Sequence, residues 1–489
     1  MAASRHFLFI LALGATLWVL LLGFFFPGYL DPFVPFHIDH FDYLGQSAQG
    51  YGFMRYIQHY PRPLGYVIFD LIGRLGTRGM LIPVFALTLL NAALLIRYVE
   101  RLSGRLVSAC TLIVYFVLVF ANPEHYSSVK EDILAVVCLT CLLFIFHLWQ
   151  GYVQSGGLWR IAAIILLAFL SSYIKETYFA TMVVFFLLQA FDSVGRRKTA
   201  IALALVSVFI AIISLHVNAQ RGYFVRTTDV ASDAYFKNWS PVSIFHGYLH
   251  LLRFLIFPAP GLLVLAALIG LGLKNRRAFL IGLAALVFVA TTLLPHALLP
   301  NHLEDQYAWL GAFFFFVPLL LADQLIPRGR GPLMIALVAA LLICLESMRE
   351  YRASIPRGMA GWLREQEGYA RRFLNSWPIM KSVAKSGERE LVIAPVIAFQ
   401  PFTASDYIRK SLGADRHWTV VLPDSFKKAQ TKNTNLVHRA DITSLDYDRI
   451  FVFSPHAKLI RLYSRKDADA IWKAGGFKEF PALGSNPEK

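Results

Sequence analysis

Long runs of apolar residues separated by short turns constrain this chain more than any other feature of its sequence. Many of the runs approach the length of about 20 residues that a helix needs to cross the hydrocarbon core of a bilayer. Hydrophobic residues make up 56% of the 489 and charged residues only 16%, against about 25% in soluble domains. The chain is therefore predicted to be a polytopic α-helical membrane protein.

Hydropathy predicts about eleven transmembrane helices in the first part of the chain. Polar flanks set the limits of each span, and packing against neighbouring helices allows some spans to be shorter than the bilayer is thick. The predicted spans are 7–26, 80–98, 106–121, 133–149, 159–173, 178–191, 200–217, 258–273, 279–294, 308–325 and 333–345.

The charges of the turns predict the orientation. Lys and Arg outnumber Asp and Glu by 47 to 31, and in membrane proteins such an excess collects in cytoplasmic loops. If the N-terminus is cytoplasmic, four of the five inner turns are short and basic. These inner turns are 97–105, 150–158, 192–198, 274–277 and 327–330. All the longer polar loops then lie on the outer side, where we expect the function. Membrane lipids are expected partners and nucleic acid is not, because the basic residues form no continuous stripe.

The composition predicts two domains. Residues 1–347 form the membrane domain, with candidate catalytic outer loops at 27–79 and 122–132. Residues 348–489 form an extracytoplasmic connector and a small soluble α/β domain, because strand-like runs alternate there with helix-like stretches. The runs are 391–397, 418–422 and 450–453. We expect an accessory or docking role for this domain, with direct acceptor binding as the alternative.

The cysteines do not indicate a disulfide framework, and the first apolar run does not indicate a cleaved signal sequence. All four cysteines lie inside apolar runs, so no disulfide framework is expected, and the Cys138-x-x-Cys141 pair is interpreted as buried small apolar side chains. The first run ends in Gly-Phe-Phe-Phe-Pro without a small-residue cleavage site. It is therefore interpreted as an uncleaved first span.

Two acids and a tyrosine directly follow the first span. Asp39 and Asp42 lie three residues apart, which places them on one side of the segment if it is helical. One of them can then act as a general base while the other orients it or binds substrate. The alternative is a solvated loop with a helix cap. A second acidic group, which holds Glu124 and His125, leads to Asp132 at the start of the fourth span. One acid there is explained by the helix dipole, but Glu124 and His125 are not.

Two further outer segments hold ionisable residues. Lys175 occupies the tight turn of an otherwise apolar hairpin, and a cation at membrane depth suits a phosphate. The alternative is an ion pair between Lys175 and Glu176. The segment 296–307 contains His302 and Glu304, whose spacing is compatible with a weak metal site or with polar side chains reaching the membrane interface.

Taken in order, these segments resemble the C-type membrane glycosyltransferases, which include protein O-mannosyltransferases and bacterial lipid A aminoarabinose transferases. The resemblance covers about residues 5–323. Its elements are an acidic pair with a tyrosine, an arginine-proline pair, an acid before the fourth span, a lysine-bearing hairpin and a polar segment before a late span. They lie at Asp39 to Tyr43, Arg62–Pro63–Leu64–Gly65–Tyr66, Asp132, Lys175 and 302–307.

The resemblance implies an enzyme of the bacterial inner (plasma) membrane. It would take a sugar from a polyprenyl-phosphate donor and transfer it, with inversion, to an envelope glycan, lipid or protein acceptor on the outer face. Asp39 would be the general base, with Asp42 as the alternative, while Asp132 and Glu124 orient the acceptor or a metal. Lys175 and Arg62 would hold the donor phosphate. The side chains expected to contact substrate are Tyr43, Tyr66, His125, His302 and Glu304, with Trp309 as a further candidate for stacking on a sugar.

Two positions depart from the family pattern. The family has Asp-Glu where this chain has Asp39-His40, so Asp42 must supply the second acid or none is required. Whether a divalent cation bridges the acids therefore stays open. A second proline of the family motif is replaced by Leu64, which is a milder change.

Two other functions remain alternatives. A polymerase or ligase of lipid-linked glycans would depend on arginines and a histidine in a large outer loop, and Arg221, Arg226 and His246 meet that description. A transporter of lipid-linked sugars would need ionisable groups deep within spans and a two-fold repeat. The sequence has neither feature.

Overall fold

The computed structural model describes the chain in segments. They are residues 2–25, 62–74, 76–120, 133–175, 178–220, 238–256, 260–299, 309–325, 339, 378–380, 382–383, 389–393, 417–422, 436–438, 448–453, 459–464, 466–467 and 470. The chain divides into two compact units, one built mainly from helices and one that contains a β-sheet. The domain boundary predicted at 347/348 lies outside the described residues.

Helices account for nearly all of the described residues up to 325. They are α1 (Ala2–Phe25), α2 (Pro63–Arg74), α3 (Gly76–Ser103), α4 (Ala109–Phe120), α5 (Ile133–Ser155), α6 (Leu158–Ile174), α7 (Phe179–Asp192), α8 (Arg197–Gln220), α9 (Pro241–Ile256), α10 (Pro260–Lys274), α11 (Arg276–Ala297), α12 (Trp309–Phe315) and α13 (Val317–Ala322). Short 3-10 turns precede α8 at Val194–Arg196 and follow α13 at Asp323–Leu325.

Four of these helices are long and apolar enough to cross a membrane. They contain Ile82–Ser103, Ile133–Ser155, Arg197–Val217 and Arg276–Ala297, with mean hydropathies between 1.8 and 2.6. Six other apolar stretches of helix are shorter, with 10–17 residues each. Ten of the eleven predicted spans coincide with a helix or helix pair. The last, 333–345, lies outside the described residues except for residue 339. This architecture is compatible with the predicted helical membrane protein.

Two helices occupy segments that the charges of the turns predict to be outer loops, which are 27–79 and 218–257. α2 begins with Pro63, whose fixed φ and missing N–H suit the first helical position. α9 also begins with a proline, and it packs along α11. Its Gly247 permits this approach, since a Cβ there would lie 2.5 Å from the carbonyl oxygen of Ala297. Both helices are too short and too polar for a hydropathy window to detect.

Stacked aromatic rings join α1 to the rest of the helical unit. The Trp18 ring lies between Phe85 of α3 and Phe120 of α4, with ring centroids 4.0 and 4.6 Å away and interplanar angles of 11° and 8°. Only 1% of the Trp18 side chain is exposed. Gly14 allows α1 to approach α4, because a Cβ there would lie 2.8 Å from the Phe116 ring. α1 is thus packed into the core of the unit.

The buried carboxylate of Glu100, near the end of α3, joins three elements. Glu100 accepts a hydrogen bond from Arg97 on its own helix and lies 2.8 Å from Nε2 of His6 on α1. It also accepts from the backbone N–H of Val107, which precedes α4, at 3.0 Å. With three partners, the carboxylate tolerates burial at 4% exposure.

Polar and aromatic contacts link the ends of α3, α5 and α13 to neighbouring helices. Arg101, near the end of α3, lies 3.0 Å from Nδ1 of His147 on α5. Asp323, after α13, accepts hydrogen bonds from the hydroxyls of Ser108 and Thr111 at the start of α4, at 2.5 and 2.6 Å. The turn after α5 contacts the turn before α8 through Tyr152 and Arg196. These contacts do not join two of the four basic inner turns, so the grouping of those turns on one side stays a prediction.

The second unit contains a five-stranded sheet with strand order β3-β2-β1-β4-β5. The strands are β1 (Arg389–Ile393), β2 (His417–Leu422), β3 (Leu436–His438), β4 (Arg449–Phe453) and β5 (Leu459–Ser464). Each of the three runs predicted as strands overlaps one of them, namely β1, β2 or β4. The first four strands are parallel, and β5 is antiparallel to β4. Ile450, Phe451 and Val452 of β4 are almost fully buried.

Side chains at the end of β5 form a local turn. Oδ2 of Asp467 accepts hydrogen bonds from the hydroxyl of Ser464 at 2.7 Å and from its backbone N–H at 3.3 Å. These hydrogen bonds favour the ionised form, so the pKa of the exposed Asp467 carboxyl is lowered.

Candidate functional site

Three of the predicted site residues lie within the described part of the chain. They are Arg62 and Tyr66 at the start of α2 and Lys175 at the end of α6. The side chain of Trp309 is outside it. The other predicted site residues also lie outside the described residues. They are Asp39, Asp42, Tyr43, Glu124, His125, Asp132, His302 and Glu304.

Arg62 has an unusual backbone conformation directly before a proline. Its φ is 51°, in the left-handed region that residues other than glycine adopt rarely. Its carbonyl accepts a hydrogen bond from the N–H of Tyr66 at 3.2 Å, which closes the first turn of α2. Backbone strain of this kind costs roughly 1–3 kcal/mol and is common at ligand-binding and active sites. This conformation makes Arg62 a candidate site residue on structural grounds as well.

Gly65 brings the start of α2 into contact with two other helices. A Cβ at this position would lie 2.9 Å from Cδ1 of Leu134 and 3.0 Å from the carbonyl oxygen of Ile174. Leu134 is the second residue of α5, and Ile174 is the last residue of α6. A side chain at position 65 would therefore separate elements that the glycine allows to touch.

Lys175 ends α6 and lies in the same region. Its backbone is extended, with φ −161° and ψ 144°, and its N–H donates to the carbonyl of Ser171 at 3.1 Å. The thiol of Cys138, on α5, lies 3.4 Å from the Lys175 carbonyl oxygen and 3.6 Å from that of Ser171. α5 therefore holds the backbone of the lysine turn, and the Lys175 side chain is half-buried.

The structure thus brings together three segments that the sequence separates. The arginine-proline turn, the lysine turn and the start of α5 meet at Gly65. In sequence, α5 begins at Ile133, directly after the predicted acid Asp132. Two cations on contacting turns can bind an anion such as a phosphate, and charge-assisted hydrogen bonds to phosphate are among the strongest in proteins.

Buried hydroxyl groups lie between α7 and α11. Oγ1 of Thr181 lies 3.0 Å from Oγ1 of Thr291 and 2.9 Å from Oγ1 of Thr292. His296, one turn after Thr292, is 8% exposed. The sequence pattern drew attention to His296 but not to the threonines, because single hydroxyl residues in apolar runs give no signal of their own.

Serine hydroxyls join α6 to its neighbour α8. The hydroxyl of Ser214 donates to the carbonyl of Ser172 at 2.8 Å. Both serines are buried. This bond fixes α8 against the last turn of α6, directly before Lys175.

A metal site and the alternative arginine-histidine site receive no support from the described residues. Within them, no group of three His, Cys, Asp or Glu side chains is placed to hold a metal ion. Arg221 and Arg226 lie outside the described residues. His246 is exposed on α9, next to Phe245, with ring centroids 6.3 Å apart.

Comparison of the chain with family models, with curated proteins and with solved structures finds no match. A proposal for its function therefore depends on the residues and their geometry.

Proposed function

We propose that this protein is an inverting glycosyltransferase of the C-type family, which uses a polyprenyl-phosphate sugar as donor and a glycan, lipid or protein of the cell envelope as acceptor. The observation that carries the proposal is the contact at Gly65, where the turn of Arg62 meets the turn of Lys175 and the start of α5. A phosphate leaving group needs cations at one place, and these two residues are far apart in sequence.

The transfer forms one bond and breaks another. The acceptor hydroxyl oxygen attacks the anomeric carbon as the bond from that carbon to the phosphate oxygen breaks, so the configuration inverts. Asp39, or Asp42 in its place, takes the proton of the hydroxyl. The negative charge that develops on the departing polyprenyl phosphate is stabilised by Lys175 and Arg62.

The remaining predicted residues orient the reactants. Asp132 and Glu124 are proposed to orient the acceptor, directly or through a divalent cation. Tyr43, Tyr66, His125, His302 and Glu304 are proposed to contact the sugar or the acceptor. Tyr66 lies one helical turn from Arg62 and is half-buried, which supports a place for it beside the donor.

The proposal includes a membrane topology. About eleven spans, an inner membrane location and a cytoplasmic N-terminus put the Gly65 contact on the outer side, and the α/β domain follows outside the membrane. The charges of the turns support this arrangement. Four of the five turns at the other end of the predicted spans are short and basic, and Lys and Arg concentrate in the cytoplasmic loops of membrane proteins. The parallel strands of the sheet suit an α/β domain.

The decisive experiment incubates the purified full-length protein with a radiolabelled polyprenyl-phosphate sugar and envelope acceptors. We expect the bond between sugar and phosphate to break, and Asp39→Asn to abolish turnover while the protein stays folded. A protein that only moves the donor across vesicles and leaves this bond intact is a transporter, and that result would refute the proposal. Wild-type activity in Asp39→Asn would refute the base assignment.

Lys175→Ala tests the phosphate site. We expect the donor KM to rise, or kcat to fall, by about tenfold or more, because the leaving phosphate loses a charged hydrogen-bond donor. Lys198→Ala is the matched control, since Lys198 is an exposed lysine at a basic turn, and it should leave the donor dependence unchanged. Equal kinetics in the wild type and Lys175→Ala would count against the site.

A further inference from the structure

Two neighbouring turns of the helical unit, with the helix starts that follow them, carry more positive charge than the residues around them neutralise. One turn joins α5 to α6 and the other joins α7 to α8. The four cations are Arg160 in the first turn of α6 and Arg196, Arg197 and Lys198 around the start of α8. Asp192 is the single acid among the described residues of the two turns, and it is exposed.

Arg196 connects the two turns. Its guanidinium carbon lies 4.8 Å from the centroid of the Tyr152 ring on α5. The hydroxyl of the same tyrosine lies 3.4 Å from that of Thr199 on α8. A Cβ on Gly156 would lie 3.7 Å from Nη2 of Arg196. The arginine is therefore held over the glycine turn that ends α5.

Arg160 approaches the same turn. Its guanidinium donates to the carbonyl of Gly156 and lies 4.8 Å from the Trp159 ring. A Cβ on Gly157 would lie 3.2 Å from its Nη1. Gly156 and Gly157 have φ values of 69° and 100°, which favour glycine. Because neither carries a side chain, both guanidiniums reach the turn.

The two guanidiniums have more N–H donors than the surrounding described residues supply acceptors for. Each guanidinium has five N–H donors. In the described part of the chain, the hydrogen bond from Arg160 to Gly156 is the one bond that either guanidinium makes, and neither has a carboxylate within 4.0 Å. The C-terminal dipole of α5 offsets about half of one charge. An anion would satisfy the donors that remain.

Large exposed apolar side chains lie close in sequence to the two arginines. Leu158 is 84% exposed, Trp159 61% and Phe191 76%. Exposed aromatic and apolar residues beside cations at a helix end are typical of the boundary between acyl chains and headgroups. A soluble anion would gain nothing from these apolar groups, whereas a lipid would contact both the charges and the apolar surface.

We propose that the Gly156–Gly157 turn binds the headgroup phosphate of an anionic phospholipid in the leaflet at this end of the helices. Arg160 and Arg196 hold the phosphate oxygens, with the planar donor geometry that suits such groups. Trp159 and Leu158 lie against the acyl chain. This site is separate from the Gly65 contact, and it does not depend on the proposed glycosyl transfer.

Native mass spectrometry of the full-length protein tests the site. The protein in detergent is titrated with phosphatidylglycerol or with phosphatidylcholine carrying the same acyl chains. We expect preferential retention of phosphatidylglycerol, and a loss of its affinity by about tenfold in the Arg160→Gln/Arg196→Gln variant. Phosphatidylcholine retention should not change.

The control removes the same charge elsewhere. Arg276→Gln/Arg277→Gln changes two exposed arginines at the start of α11 and should leave phosphatidylglycerol binding intact. Equal loss in both double variants would mean non-specific attraction and would overturn the site, as would no loss in either. Displacement of the lipid by millimolar inorganic phosphate would overturn the lipid assignment in favour of a soluble anion.

The single variant Arg196→Gln distinguishes loss of the site from misfolding. Arg196→Gln removes a guanidinium that makes no hydrogen bond within the described residues, so the fold should survive, as judged by an unchanged unfolding temperature. We expect this variant alone to weaken phosphatidylglycerol binding several-fold. Unchanged binding in a folded Arg196→Gln protein would refute the role of Arg196 and with it the paired site.

Discussion

At the scale of single residues, Gly65 decides whether the two candidate phosphate-binding turns meet. Gly65→Ala places a methyl group 2.9 Å from Leu134 and 3.0 Å from the Ile174 carbonyl. Overpacking of this kind costs roughly 1–3 kcal/mol, which exceeds the gain of about 1 kcal/mol in helix propensity. We expect a lower unfolding temperature and a weaker donor affinity, measured by thermal melts and by donor titration.

Gly195→Ala is the control for that substitution, since no atom lies within 4 Å of a Cβ at position 195. Its unfolding temperature should match the wild type. If Gly65→Ala also behaved like the wild type in both measurements, the close contact between α2 and the Lys175 turn would be wrong.

The sequence predicts some of the residues at the candidate site, but not the contacts that bring them together. Lys175 is predicted because an ionisable group at membrane depth is costly without a function, and Arg62 because the arginine-proline pair belongs to the family motif that the chain resembles. Gly65 was part of the motif, but nothing in the sequence revealed that it touches Leu134 and Ile174. Glu100 was not predicted at all, because an acid in a basic turn is ordinarily solvated, and only the fold shows that it is buried.

At the scale of helices, Glu100 joins α1, α3 and the segment before α4. Removing one partner of a buried ion pair typically costs roughly 3–5 kcal/mol, because the remaining charge stays buried without compensation. We expect Glu100→Ala to lower the unfolding temperature strongly in detergent. Asp192→Asn, which removes an exposed acid, should have almost no effect.

A double-mutant cycle with His6→Ala measures how much of this loss of stability depends on the contact between Glu100 and α1. Because His6 and Glu100 are in contact at 2.8 Å, their effects should be non-additive. Additive effects of the two substitutions would mean that the histidine contributes nothing to holding α1.

The sequence predicts the positions of the helices more completely than those of the strands. Long apolar runs are explicit in the sequence, so ten predicted spans coincide with helices. α2 and α9 mix polar and apolar residues, and their positions depend on packing that a window cannot detect. β3 has only three residues, and Arg461 interrupts the apolar pattern of β5, so both strands escaped prediction.

At the scale of the whole molecule, the proposed orientation can be tested by cysteine labelling. In a variant in which the four native cysteines are replaced, single cysteines are introduced at Lys198, Arg277 and Ser240, all of which are exposed. We expect a membrane-impermeant maleimide to label position 240 in intact cells. Positions 198 and 277 should be labelled only after permeabilisation. Labelling of all three from the same side would contradict the proposed topology.

The stacking of Trp18 between Phe85 and Phe120 has a consequence for biosynthesis. Phe120 follows Trp18 by about a hundred residues, so a ribosome working at about 5–20 residues per second needs roughly 5–20 s to make the second partner. Until then, one face of the Trp18 ring lacks the partner that covers it in the folded protein, even after Phe85 has been made. The packing of α1 is therefore completed only after the chain has been made as far as α4.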